Sequence, residues 1–264
     1  MEVRIDGKVL LVTGATQGVG LAIAEEAARS GAAGILLTGR DEARGAEAAR
    51  RIEGTGVPAA FVAADIGDPA ALARRSIRPK AAIDAFGQVD LLANAAGMTT
   101  RGTVLDSDAA FFDRMFAVNT RGPTLLMQAV TRHLRARGAP GSIVNILSIN
   151  VHGGTPALAL YSASKVALAL LTRNTAFTHR ADRVRVNGIN LGWADTPGER
   201  TMQGDVLGLG DGWLAAAEAR MPFGRLIKPD DVARLALFVL SDASLPMTGS
   251  LIDQDQEYFP GLRE

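Results

Sequence analysis

Lys8-Val9-Leu10-Leu11-Val12 is a short, unbroken apolar run. It leads without a spacer into Thr13-Gly14-Ala15-Thr16-Gln17-Gly18-Val19-Gly20 and then into an Ala- and Glu-rich stretch, Leu21 to Ser30. A run with no polar alternation reads as a strand covered on both faces, the habit of parallel sheets flanked by helices. The glycines therefore fall between a buried strand and a helix. There they let the backbone turn tightly and approach a pyrophosphate, while the helix start offers unpaired N–H groups and positive potential. A glycine-rich turn with no ligand is the plain alternative, and the rest of the chain has to decide.

The same unit recurs. Strands are expected at Gly34–Thr38, Ala59–Ala64, Val89–Ala93, Ser142–Leu147, Val184–Asn190 and Gly249–Ile252, most followed by helical stretches. These helices are about Asp41–Glu53, Pro69–Phe86 with a kink at Pro79, Ser107–Arg137 interrupted near Gly122-Pro123, a stretch ending near Arg180, and Pro229–Ser241. Strands alternating with helices imply a parallel sheet with right-handed crossovers, an α/β doubly wound fold with helices on both faces. No repeat or linker divides the 264 residues, so one domain spanning 1–264 is expected. The Gly-rich segment 196–222 breaks the rhythm and reads as an irregular substrate loop.

Composition removes several function classes. The formal net charge is zero and the pI is about 6.9, so no nucleic-acid footprint is present. With no cysteines, disulfides and thiolate metal sites are excluded, and the three histidines are too scattered for a metal centre. The apolar runs are too short for a signal peptide or a membrane span. The expectation is a soluble cytoplasmic protein with no nucleic-acid or membrane partner.

In open α/β sheets ligands bind beyond the carboxyl ends of the strands. The polar residues expected there are Thr13, Asp65, Asn94, Ser148 and Asn190, with Thr196 nearby. Tyr161 and Lys165 follow strand five at a spacing that puts both on one helix face. A cation beside a phenol is the simplest way to make that phenol an acid or base near neutrality. For an isolated pair, a half-buried core tyrosine and a solvated helix lysine is the weightier explanation, and the context has to decide.

Taken together, the glycine turn, Asn94-Ala95-Ala96-Gly97, Asn119, Ser148, and Tyr161 with Lys165 resemble the short-chain dehydrogenase/reductase family over nearly the whole chain. The thirteen residues from Ser148 to Tyr161 match that family's usual interval. The resemblance implies a Rossmann-like sheet of about seven strands in the order 3-2-1-4-5-6-7. It also implies an oxidoreductase interconverting a secondary alcohol and a ketone by hydride transfer to or from NAD(P). By this likeness Tyr161 is the general acid/base, and Lys165 lowers its pKa and holds the nicotinamide ribose. Ser148 binds the substrate oxygen and Asn119 orders a water in a proton relay. Gly14, Thr16, Gln17, Gly18, Val19 and Gly20 take the pyrophosphate side. Asp65 and Ile66 take the adenine, Asn94, Ala95 and Gly97 the cleft floor, and Gly192 and Thr196 the nicotinamide end. A homotetramer or homodimer through the helices after strands four and five is implied as well.

The pattern is not complete. Ala95 stands for the usual second asparagine, Leu147 for a frequent serine, and Leu191 for a common proline. Asp253-Gln254-Asp255-Gln256 stands for Asp-Gly-Gly, which places the shape of the substrate end in question. Strand two ends in Gly39-Arg40, without the acid that binds an NAD ribose. Arg40 therefore favours NADP(H), with NAD(H) possible through Asp41, whose other role is as a helix N-cap. His152 is either a pocket residue or a loop histidine. Arg132, Arg135 and Arg137 read as a helix-end cluster needing no anionic partner. An epimerase or dehydratase with bound cofactor, or a redox-inactive dinucleotide-sensing protein, are the alternatives. The first usually needs a larger substrate domain, and the second is expected to have lost Tyr161 or Lys165. The substrate itself, whether small polyol, sugar derivative or alicyclic ketone, is not legible.

Overall fold

A computed structural model of the chain describes residues 2–68, 70 and 79–258. Within them lies one seven-stranded sheet in the order β3-β2-β1-β4-β5-β6-β7, with every pairing parallel. The strands are β1 (Val9–Thr13), β2 (Gly34–Gly39), β3 (Ala59–Ala63), β4 (Leu91–Asn94), β5 (Gly141–Ile146), β6 (Val184–Leu191) and β7 (Leu251–Gln254). The two-faced burial inferred from β1 is literal. Leu10 and Val12 pack with Ile23, Ile35, Ile52 and Val232 on one side, and Val9 and Leu11 with Leu36, Leu126, Val130 and Leu168 on the other. Each such fully buried aliphatic side chain contributes about 1.5–3 kcal/mol.

Helices Gly18–Arg29, Glu42–Glu53 and Pro229–Leu240 cover the first face; Pro79–Phe86, Gly122–Arg137 and Ala159–His179 cover the second. Pro79 opens its helix where a kink was expected, and residues 69 and 71–78 of that expected helix lie outside the described residues. The break expected at Gly122-Pro123 falls earlier, in a π-turn at Ala117–Arg121, and Pro123 sits in the first turn of the next helix. A Cβ on Gly122 would come within 2.6 Å of the Ile66 carbonyl, so glycine is required at that junction. β7 begins two residues later than expected.

The segment 196–222 is not irregular. It forms short helices at Pro197–Arg200 and Trp213–Glu218, joined through a π-turn at Thr201–Val206 and the Gly208/Gly210 bends. Trp213, Ala217, Met221 and Leu226 give it a small core of its own, against which Trp193 packs. The Gln/Asp segment lashes it down: Gln256 donates to the Arg225 carbonyl (2.8 Å) and accepts from the Phe223 N–H (3.1 Å), while Gln254 donates to the Asp231 carbonyl (3.0 Å). Without a proline at Leu191, β6 runs on to that residue and pairs Leu191 with Gln254.

The arginine cluster does have partners, contrary to expectation: Arg137 binds Asp90 (2.9 Å) and Arg135 binds Asp182 (3.1 Å). A cavity of about 730 Å³, lined by Lys8, Asp90, Arg183, Arg185 and Leu245, opens at the amino edge of the sheet. The reactive side chains gather at the opposite edge.

Candidate active site

β1 and β4 end level, Thr13 beside Asn94; Asn94 pairs with Asn145 and Asn145 with Gly188, and β5 and β6 run one and three residues further. Thr13 closes the first junction by accepting the Ala95 and Ala96 N–H groups, both at 3.1 Å. Asn94 turns its side chain into the sheet and donates to Asn145 (2.8 Å), which donates in turn to Thr172 (2.8 Å). Asn94 Nδ2 is spent in this contact, while its Oδ1 stays buried without a partner among the described residues. Asn145 is a fully buried structural residue that its place in an apolar strand concealed.

Ser148 leaves β5 in extended conformation and its hydroxyl accepts the Asn150 N–H at 3.2 Å. The Ser148 hydroxyl lies on the Tyr161 side of this loop, near enough to act on the phenol. Tyr161 and Lys165 lie on the buried face of helix Ala159–His179, with the ammonium 5.8 Å from the ring centroid. Lys165 is only 5% exposed and donates to the Ile146 carbonyl at 2.8 Å. Burial pushes its pKa down to about 8. Burial also raises the Tyr161 phenol; the Ser148 hydroxyl opposes this, and the Glu199 carboxylate adds to it. In this state the phenol is protonated at neutral pH and set to give a proton to a carbonyl oxygen.

Asn119 sits in the π-turn, wholly buried. Its Oδ1 accepts the Met98 N–H (2.8 Å), and its Nδ2 donates to the Met98 carbonyl (2.9 Å) and to Ser164 Oγ (3.0 Å). The side chain is thus consumed in joining the β4 loop to helix Ala159–His179. A Cβ on Gly97 would rest 3.6 Å from Lys165 Nζ, so Gly97 borders the same group.

The dinucleotide residues also come together. Gly14 and Gly18 have positive φ (66° and 58°), and a Cβ on Gly14 would lie 2.7 Å from the Ala96 backbone. Gln17 precedes helix Gly18–Arg29 without capping it by its side chain, and no acid occupies the first turn. The helix start thus keeps free N–H groups and positive potential for a pyrophosphate, and the residues fit NAD(P). Thr16 packs on Gly39, Val19 is half-buried against the core, and Ala95 packs against it from β4. Asp65 accepts the Gly67 N–H (2.8 Å) and pairs with Arg114 (2.7 Å); Ile66 is buried beside it. Gly192 lies under the Asp255 side chain and donates its N–H to Gln254 (2.9 Å). Thr196 caps helix Pro197–Arg200 and rests on Gly18, whose Cβ would be 3.6 Å from it.

Asp41 is the N-cap of helix Glu42–Glu53, accepting the Arg44 N–H at 2.9 Å. Arg44 then pairs with Asp41 (2.8 Å) and donates to Gln17 (2.6 Å), which brings a second cation beside the glycine turn. Sequence reading missed Arg44; the signal was an arginine one helical turn beyond Arg40. His152 is bound by Asp253 (2.9 Å), which also accepts from Asn190 (2.6 Å), and Tyr258 stacks on its ring. His133 accepts the Val89 N–H (3.4 Å) and His179 pairs with Asp182 (2.7 Å), so neither is a bare surface residue. No group of three or more metal-ligating side chains occurs among the described residues.

A sequence model described as enoyl-(acyl carrier protein) reductase matches residues 14–256. The chain is 35% identical over 253 residues to cis-4-hydroxycyclohexanecarboxylate dehydrogenase of Sinomonas cyclohexanicum, covering 95% of this chain and 96% of that one. It is 31% identical over 260 residues to the NADP-dependent (R)-specific alcohol dehydrogenase of Lentilactobacillus kefiri, covering 98% and 99%. The crystal structure of L-sorbose reductase from Gluconobacter frateurii, complexed with NADPH and L-sorbose, superposes with a TM-score of 0.88 at 28% identity, covering 97% and 98%. The chain belongs to the short-chain dehydrogenase/reductase family. It is an NAD(P)-linked oxidoreductase of CH–OH groups, acting on secondary alcohols and ketones.

Proposed function

We propose that the protein is an NADP(H)-preferring dehydrogenase/reductase of a small secondary alcohol or ketone, with Tyr161 as its general acid/base. The observation that carries this is the burial of Tyr161 and Lys165 on one helix face, the ammonium 5.8 Å from the phenol ring centroid, with the buried Ser148 at the end of β5 acting on the same phenol. When bound, the coenzyme supplies or accepts the hydride. Ser148 and Tyr161 offer two hydroxyls to one substrate oxygen, and Tyr161 passes it the proton in reduction or takes it back in oxidation. Lys165, within a helical turn of the phenol, stabilises the phenolate left behind. It would also hold the nicotinamide ribose, and any water relay at Asn119 uses the backbone, since its side chain is spent.

NADP preference is supported by two local facts. Asp41, the nearest acid to the end of β2, is committed to capping a helix and to Arg44. Arg40 is exposed, and Arg44 stands across from Gln17, so two guanidiniums flank the place a 2′-phosphate would occupy. An alicyclic alcohol, a polyol or a sugar derivative agrees with what the relatives' names say of those proteins. A homo-oligomer is supported by Val166, Leu170 and Phe177, which helix Ala159–His179 leaves 46%, 69% and 68% exposed. No helix among the described residues is long and apolar enough to cross a membrane. Absorbance at 340 nm with a panel of secondary alcohols and ketones, run with both coenzymes, tests the reading. A tenfold preference for NAD(H) contradicts the coenzyme assignment.

A further inference from the structure

The segment after β6 carries Glu199, Arg200, Lys228 and Glu218 close together, and their partners divide them sharply. Arg200 turns onto Asp195 through two contacts, 2.6 and 2.8 Å. Lys228 binds the same carboxylate at 3.0 Å and Glu218 at 2.7 Å. The cations nearest the site in sequence are therefore consumed. Glu199 has no cation partner among the described residues. Its Oε1 accepts from Trp193 Nε1 (2.8 Å) and Gln203 Nε2 (2.6 Å), leaving Oε2 without a partner among the described residues. Trp193 is itself stacked on Trp213, and Gln203 is 6% exposed, so the carboxylate is held by a rigid pair of donors.

Its position follows from Thr196. That residue rests on Gly18 of the dinucleotide turn and accepts the Glu199 N–H at 3.1 Å, so Glu199 stands one helical turn beyond a residue touching the coenzyme turn. Its charge is felt at the Tyr161 hydroxyl, as already noted. At the ends of β6 and β7 stand two further anions, Asp253, joined to His152 and Asn190, and Asp255, which lies over Gly192 and accepts the Tyr258 N–H.

Resting on the oxidoreductase reading above, we propose that Glu199 selects the substrate. Its fixed carboxylate accepts a hydrogen bond from a hydroxyl or ammonium carried on the substrate away from the reacting carbon, and it repels a carboxylate at that place. The substrate class is then a donor-rich alcohol or ketone, a polyol or an amino alcohol, rather than a hydroxy acid. No bond is made or broken by Glu199.

The test compares three matched probes under NAD(P)-linked turnover at pH 7.5: cyclohexanol, 4-aminocyclohexanol and 4-hydroxycyclohexanecarboxylate, with galactitol as a polyol. The expected order in kcat/KM is amino alcohol above cyclohexanol above carboxylate, with steps of roughly tenfold from one partly buried charge pair, shrinking as salt is raised. Glu199→Gln keeps an acceptor for Trp193 and Gln203; it should bring the carboxylate to within about threefold of cyclohexanol, chiefly through KM. A wild-type enzyme that uses the carboxylate as well as cyclohexanol overturns the role of Glu199 and leaves the oxidoreductase reading standing. So does a Glu199→Gln effect confined to the KM of the coenzyme. Absence of turnover with cyclohexanol and galactitol alike, with either coenzyme, overturns the underlying reading and the proposal with it.

Discussion

Tyr161 and Lys165 show how burial rather than charge alone sets an acid. Loss of solvent raises the phenol and lowers the ammonium to about 8, so each moves toward its neutral form. Ketone reduction consumes the protonated phenol, so its kcat/KM should be level near neutrality and fall as the pH rises. Alcohol oxidation needs the phenolate and should climb over the same interval; a pH profile in both directions checks the opposite signs. At the other end of the cleft, Arg40→Ser together with Arg44→Ser should raise the KM for NADPH tenfold or more and change that for NADH far less. An equal effect on both coenzymes counts against a phosphate-binding role. Arg40 was legible as a residue at a strand end. Arg44 was not, because its reach to Gln17 depends on the turn of a helix that Asp41 starts.

At the scale of elements, the π-turn at Ala117–Arg121 and the clasp around Asp195 carry the site. Asn119→Ala leaves the half-buried Met98 N–H and carbonyl without this partner, a cost of about 1–3 kcal/mol measurable by urea denaturation. Asp195, 4% exposed between Arg200 and Lys228, titrates at about 2 rather than 3.8. A carboxylate depressed on folding contributes stability above its unfolded value and loses it as the pH falls from about 3.8 toward 2. Asp195→Asn should therefore cost about 2 kcal/mol at pH 7, with the difference from wild type about halved near pH 3 and vanishing only below about pH 2. This clasp was hidden in the sequence, since its members lie at 195, 200, 218 and 228 and form no periodic pattern. The strands, by contrast, announced themselves. β1 to β4 are short, largely apolar runs, as a doubly covered sheet demands, while β6 buries Arg185, Asn187 and Asn190 among its aliphatic residues.

Across the whole molecule, seven parallel strands bring Gly14, Asn94, Ser148 and Thr196 to one edge although they are spread over 183 positions of the chain. That convergence follows from strand order, so the location of the site was readable once the strand–helix rhythm was. The shape of the substrate end was not, because Gln254 and Gln256 act through contacts with Asp231, Phe223 and Arg225 that no local pattern encodes. The exposed aliphatic and aromatic side chains on helix Ala159–His179 belong to this scale. Leu170→Glu with Phe177→Glu should lower the mass found by light scattering to that of a single chain, and an unchanged mass places any interface elsewhere. The central claim, that Tyr161 moves the proton in an NAD(P)-linked conversion of alcohol and ketone, is tested most directly by Tyr161→Phe. With a ketone turned over by the wild type, the variant should bind NADPH within about threefold of wild type while kcat falls on the order of a thousandfold or more. A variant that still turns over within tenfold of wild type contradicts the account.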